Sequence, residues 1–202
     1  MISLYLKYLK LATKKVIKTL IEQCKYDATI PVNAERLVKL SEQILSRHLG
    51  HQISLKICLV DPTKNGPHPK RVDGAFCPGD LSKLYVNILL DETHQRFVTC
   101  HELMHAYMHY LQHQIISDGF DFFENTQAEE IICCILTGIL LCPTTELKVV
   151  LREKNKFSPT DSDLIKMKKL ANYFGVPTIC FLEYLKYIFK KETIKEVFGQ
   201  FS

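Results

Sequence analysis

The 202-residue chain has no apolar run long enough to cross a bilayer as a helix. Its most apolar stretch, Ile131 to Cys142, falls well short of the roughly 20 residues a span needs, and Gly138 interrupts it. A buried core helix is expected there. The chain also has no Cys-x-x-Cys pair. Its eight cysteines (24, 58, 77, 100, 133, 134, 142 and 180) are scattered, many of them inside apolar runs, which suits buried free thiols better than a disulfide framework. With no cleavable apolar core at the N-terminus, a reducing cytoplasm is the expected setting. Charge of one sign is lacking as well: 26 Lys and Arg stand against 22 Asp and Glu, for a net +4, so composition gives no reason to expect nucleic acid as a partner. At 47% hydrophobic and 24% charged residues there is no signature of disorder. A chain of this length buries about 70% of the surface its unfolded form exposes, enough for one domain or one domain with a helical appendage.

What the chain does have is Thr99-Cys100-His101-Glu102-Leu103-Met104-His105. On a helix, residues four apart lie about 40° apart around the axis and roughly 6 Å along it, so His101 and His105 can hold one ion between them. Glu102 flanks that face without being forced into the ligand set, which suits a base acting on a metal-bound water. A zinc ion with three protein ligands and one open position brings its water to a pKa of about 7, and a nearby carboxylate can then take the proton. Phe97, Leu103, Met104, Met108 and Leu111 recur at helical spacing, which predicts a half-buried helix from about Thr93 to His113. Glu130 stands at the head of the apolar run that ends at Pro143. A carboxylate there is costly to bury unless it is paired or metal-bound, which makes Glu130 the third ligand and Glu129 the next candidate. His109 and His113 continue the four-residue steps but drift to about 80° and 120° from His101, so all four imidazoles cannot meet one ion. His109 is kept as a hydrogen-bonding residue behind the ligands, and His113 as surface.

Before the motif, residues 1 to about 25 read as an amphipathic helix with a basic face, and Pro31 to Leu49 as a second helix stopped by Gly50. Gln52 to Val60, Val72 to Phe76 and Leu84 to Leu90 read as strands, the last two joined by a turn around Pro78-Gly79-Asp80. The proline-bearing segment from Asp61 to Arg71 is a loop, and so is Ile115 to Thr126. After Pro143 three helices are expected, Thr145 to Glu153, Asp161 to Phe174 and Thr178 to Lys190. The last two resemble a helix-turn-helix, but the second is too apolar to read bases and is expected to pack as a hairpin. The expected class is α+β: a mainly helical core, a small β-sheet beside the motif helix, and a C-terminal helical extension. The division is residues 1–143 and 144–202.

Taken in order, these residues resemble the ImmA/IrrE type of zinc metallopeptidase. That family carries Arg-Phe-x-x-Ala-His-Glu-x-Gly-His, then a Glu thirteen residues before the Pro of a Leu-Leu-Met-Pro-like end. Here Arg96, Phe97, His101, Glu102, His105, Glu130, Leu140, Leu141 and Pro143 match. The resemblance spans about Ile53 to Pro143. It implies a zincin-like core, zinc on His101, His105 and Glu130, Glu102 as catalytic base, and a protein substrate such as a helix-turn-helix repressor. Met104 stands where the family has Gly, Cys100 where it has Ala, and Cys133-Cys134 where it has Ala-Asn. Met104 is expected to narrow the active-site face of the helix. Cys134, one turn past Glu130, has three readings: an inert thiol, a fourth ligand that closes the site, or an oxidisable thiol. A regulatory binding module with a structural or inactive zinc site is the alternative to an endopeptidase.

Overall fold

The computed structural model of the chain describes residues 19–20, 30–64, 73–115, 126–153 and 161–189. The expected N-terminal helix lies outside the described residues apart from positions 19 and 20. So do most of the 61–71 loop, the loop 116–125 and the side chain of His113.

Helix α1 (Ala34–Leu49) starts later than the sequence suggests. Asn33 caps it by accepting the Arg36 N–H at 3.0 Å, so Pro31 lies outside the first turn. Gly50 closes it at φ 74, its N–H turned back to the Ser46 carbonyl. Side chains of α1 then take over the next backbone donors: Ser46 Oγ accepts from the Ile53 N–H at 2.8 Å, and Glu42 accepts from the Leu55 N–H at 2.6 Å. Strand β1 (Leu55–Val60) begins where those bonds end, later than the alternation alone implied.

Strands β2 (Gly74–Cys77) and β3 (Ser82–Asn87) form the expected antiparallel hairpin, with Gly74 opposite Val86. The parallel pairing of β1 with β3 completes a mixed sheet in the order β1-β3-β2. β3 stops at Asn87 and does not run to Leu90. The Asn87 side chain accepts from the Leu89 N–H at 2.9 Å, which turns the chain and leaves Ile88 and Leu89 exposed. Apolar composition misled there because this short run serves a turn.

Helix α2 (Glu92–Ile115) is the hub. It buries Cys100, Leu103, Met104, Ala106, Tyr107, Met108 and Leu111 in the core shared with α1, the sheet and α3 (Thr126–Leu141). Ser82, Leu84 and Val86 of β3 are buried on the inner face of the sheet, and Ser82 Oγ meets the Tyr110 hydroxyl of α2 at 2.6 Å. Helix α4 (Thr144–Arg152) follows directly after Pro143, and α5 (Asp163–Phe174) and α6 (Thr178–Phe189) make a hairpin. The turn between them is Gly175, at φ 63, whose carbonyl accepts from the Arg96 guanidinium of α2 at 2.8 Å. α6 buries Phe181, Tyr184 and Leu185, and the Tyr184 hydroxyl donates to the Cys142 carbonyl at 2.6 Å. Six helices around a three-stranded sheet make the described residues a mainly helical α+β fold.

No single described helix is long and apolar enough to cross a membrane. Glu129–Leu141 and Thr144–Arg152 pass such a test only together, across a 60° bend. Each of them buries apolar residues in the protein core, among them Leu136, Leu140, Leu147 and Val150.

α3 and α6 approach closely because position 138 has no side chain. A Cβ on Gly138 would lie 2.7 Å from Cγ and 2.9 Å from Cβ of Tyr184. Overpacking of this kind costs about 1–3 kcal/mol, against which alanine returns up to about 1 kcal/mol of helix propensity. Gly138→Ala should therefore lower the urea midpoint without changing the slope. Gly79→Ala, whose added Cβ meets nothing nearer than 4.0 Å, should leave the midpoint within error.

Candidate metal centre

α2 and α3 cross so that one turn of each faces the other. α3 begins at Thr126, a turn before Glu130, so Glu130 lies within the helix and does not open it as expected. Both Glu129 and Glu130 thereby come onto helical backbone against the two imidazoles. Their environments differ: the Glu129 side chain is 17% exposed and the Glu130 side chain 58%. The His101 and His105 rings meet edge to face at 4.8 Å between centroids.

Their nitrogens converge. His105 Nε2 lies 3.1 Å from His101 Nε2 and 3.3 Å from one Glu130 oxygen, and the other Glu130 oxygen lies 3.1 Å from His101 Nε2. Zinc bonds to nitrogen or carboxylate oxygen of about 2.0–2.1 Å, arranged tetrahedrally, keep neighbouring donors about 3.3 Å apart. The spacings fall near that edge length, each imidazole facing a different Glu130 oxygen, and the N₂O donor chemistry suits zinc. These three residues form a group that could hold a metal ion. His105, Glu129 and Cys133 form a second such group, but its acid and imidazole stand in a different relation: His105 Nδ1 is 2.8 Å from Glu129, a hydrogen-bond distance.

Glu102 is buried, at 6% exposure, beneath the β2 edge of the sheet, where the Phe76 N–H donates to its carboxylate. Gly74 makes room for it. A Cβ there would stand 2.8 Å from Glu102 Oε1 and 2.9 Å from the Tyr85 carbonyl, and would strike Val98. Burial pushes the Glu102 carboxyl up to about 7; His105 opposes that rise, Glu130 adds to it and the Phe76 N–H opposes it. Burial, then repulsion from His105, hold His101 below the ordinary imidazole value against the pull of Glu130. Burial presses His105 the same way, but the Glu129 hydrogen bond and the charges of Glu102, Glu130 and Glu129 outweigh it, and His105 ends above its ordinary value.

The other singled-out residues fall away from the donors. His109 packs on the rings of Phe76 and Tyr110, at 5.6 and 5.2 Å, and belongs to neither donor group. Met104 is fully buried in the core, about 60° around the helix from His101, and packs among residues shared by α2 and α3. Cys134 does reach the site, its sulfur 3.7 Å from His101 Nδ1, the ring nitrogen opposite the converging donors. Burial and the Glu130 charge push its thiol up to about 11. Two features escaped the sequence reading. One is the Glu129 contact with His105; the other is the Gly74–Phe76 cradle of Glu102, for which a glycine inside a short strand was the available signal of close approach.

Residues 69–186, more than half of the chain, match the IrrE N-terminal-like domain family of peptidases. The chain belongs to that family. The match begins upstream of β2 and runs through α6, so it takes in both the two crossing helices and the helices after Pro143. Among solved structures, a Mycobacterium tuberculosis transcriptional regulator shares the fold with a TM-score of 0.56 at 13% identity, over 86% of this chain and 46% of the regulator. The chain thus spans just under half of that protein's length. No curated protein matches the chain significantly.

The Glu102 environment makes a prediction for metal-free protein. Its folded carboxyl titrates near 7 and the free group near 4.5, so between those values the folded chain holds more protons than the unfolded one and loses stability as pH rises. Glu102→Gln removes this burden. In the presence of a chelator it should raise stability at pH 8 by up to about 3 kcal/mol and change it little at pH 4, as read by thermal or urea unfolding at both values.

Proposed function

We propose that this chain is a zinc-dependent endopeptidase of the cytoplasm whose substrate is a helix-turn-helix repressor. The observation that carries the reading is the convergence of His101, His105 and Glu130, with polar atoms 3.1–3.3 Å apart and a buried Glu102 beside them. His101 and His105 present Nε2, and Glu130 presents its carboxylate, as the three protein ligands. Zinc, when bound, supplies an acidified water and polarises the scissile carbonyl. Glu102 takes the proton of the attacking water and returns it to the leaving amine, and a carboxyl poised near neutrality suits both transfers. The Phe76 N–H and the space left by Gly74 fix the carboxylate for that work.

β2 is an edge strand among the described residues, paired with β3 on one side. An extended peptide pairing along its other side would run past Glu102, and main-chain hydrogen bonds would supply affinity with little demand on sequence. The identity of the substrate as a repressor rests on the likeness to the ImmA/IrrE type.

The alternative, a regulatory module with a closed or inactive metal site, draws on the fold shared with a transcriptional regulator. A closed site needs a fourth protein ligand. The Cys134 thiol contacts His101, but its sulfur lies on the nitrogen turned away from the donors, which favours an open position and hence the enzyme.

Metal analysis of purified variants tests the ligands: His101→Ala, His105→Ala and Glu130→Ala should each bind less than about a tenth of the zinc held by the unmodified chain, while Glu102→Gln keeps one ion per chain. Glu102→Gln should also slow cleavage of co-expressed candidate repressors about 10²–10⁴-fold, read by mass spectrometry of the fragments. Cleavage at an unchanged rate in that variant rules out the mechanism.

A further inference from the structure

We propose that Glu129 is a positioning residue that locks His105 in the tautomer whose Nε2 is free to bind the metal. This role rests on the metal-centre reading above, and one contact defines it. Glu129 Oε1 lies 2.8 Å from His105 Nδ1, and both side chains are largely shielded, at 17% and 15% exposure. An ionised carboxylate only accepts hydrogen bonds, so the proton between them sits on Nδ1. A neutral ring with its proton on Nδ1 carries its lone pair on Nε2, the nitrogen that faces His101 Nε2 at 3.1 Å and Glu130 at 3.3 Å. Carboxylate, imidazole and metal in line is the arrangement by which a second carboxylate orients a ligand ring and raises its basicity.

The same contact decides between the two donor groups. His105 cannot offer Nδ1 as a ligand to an ion shared with Glu129 and Cys133 while that nitrogen holds the proton donated to Glu129. Cys133 is fully buried among apolar neighbours, where a thiolate is disfavoured. The second group is therefore the support of the first. Neighbouring acids on one helix divide the work: Glu130, 58% exposed, meets both Nε2 atoms, and Glu129 reaches past to the far side of the His105 ring. The two imidazoles are supported unequally, since among the described residues His101 Nδ1 meets the Cys134 sulfur, at 3.7 Å, where His105 Nδ1 meets a carboxylate.

Two readouts on the full chain test the assignment. In metal-free protein, at a pH alkaline enough to leave the ring neutral, nitrogen-15 NMR of the imidazoles should show His105 protonated on Nδ1 in the unmodified chain and mixed between tautomers in Glu129→Ala. Zinc affinity, measured by competition with a chromogenic chelator, should fall about 10- to 100-fold in Glu129→Ala. Glu129→Gln, which keeps a neutral acceptor, should recover most of that affinity; recovery by the conservative variant is what a merely structural role would not give. If Glu129→Ala fails to fold, Glu129→Leu, of similar size and without an acceptor, takes its place in both measurements. An unchanged His105 tautomer with unchanged zinc affinity overturns the assignment. Zinc loss as complete as in Glu130→Ala, unrelieved by glutamine, also overturns it and makes Glu129 a ligand. Absence of zinc binding by the unmodified chain, with the tautomer still shifting in Glu129→Ala, overturns the metal reading and leaves the Glu129 contact standing.

Discussion

Three carboxylates and two imidazoles share one half-buried spot, and the structure depends on that excess of negative charge being answered. Glu102 comes from α2 and is buried, while Glu129 and Glu130 come from α3 and bracket His105 from both ring nitrogens. Protons meet part of the demand: burial raises Glu102 to about 7, and His105 is held above its ordinary value by the acids around it. A divalent cation among the Nε2 atoms and Glu130 would meet it better, because it would satisfy both lone pairs and the carboxylate at once. The two histidines are pulled in opposite directions, His101 down by burial and by His105, and His105 up by the acids around it.

Everything else in the fold holds α2 and α3 in that crossing. The sheet braces α2 from one side, through Leu84, Val86 and the Ser82–Tyr110 contact. α6 braces α3 from the other, with Tyr184 over Gly138 and its hydroxyl on the Cys142 carbonyl just past the end of α3. Arg96, one turn before His101 and within reach of Glu92, ties α2 to the Gly175 turn of the C-terminal hairpin. The helices after Pro143 thus touch both helices of the candidate centre, α3 at Gly138 and α2 through the Arg96 side chain. The family match extending through them has a physical basis in those contacts.

How much of this was legible in the sequence depends on how local the signal was. The His101–His105 spacing and the apolar stripe of α2 are set by helical period alone, and α2 forms as its pattern implies. The helix stops at Gly50 and Gly175 were legible for the same reason, both glycines standing at positive φ. Strand ends were not legible, because they are decided by side chains from elsewhere: Ser46 and Glu42 take the donors before β1, and Asn87 turns the chain that Ile88 and Leu89 would have extended. The acid pair was half legible. A charged residue near an apolar helix signals a paired carboxylate, but which of two adjacent acids meets which ring nitrogen depends on how α3 is rotated against α2, and that is fixed by packing at Gly138 and along the core.

The chain's departures from the ImmA/IrrE pattern sort by the same geometry. Met104, Cys100 and Cys133 replace small residues, and each is fully buried in the shared core, so each is a matter of volume between helices. Larger side chains on the inner faces of α2 and α3 set how far apart the two helices stand, and hence how closely their imidazoles and acids approach. They act on the site only through that spacing, and the spacing observed keeps the donors 3.1–3.3 Å apart. Cys134 differs in kind, since its sulfur touches the His101 ring on the nitrogen opposite Glu130. A thiol is a weaker hydrogen-bond partner than the carboxylate serving His105. His105 is therefore the better-held ring of the pair, and among the described residues the orientation of His101 is left chiefly to Phe97, whose ring stacks on it at 6.3 Å, and to Glu130.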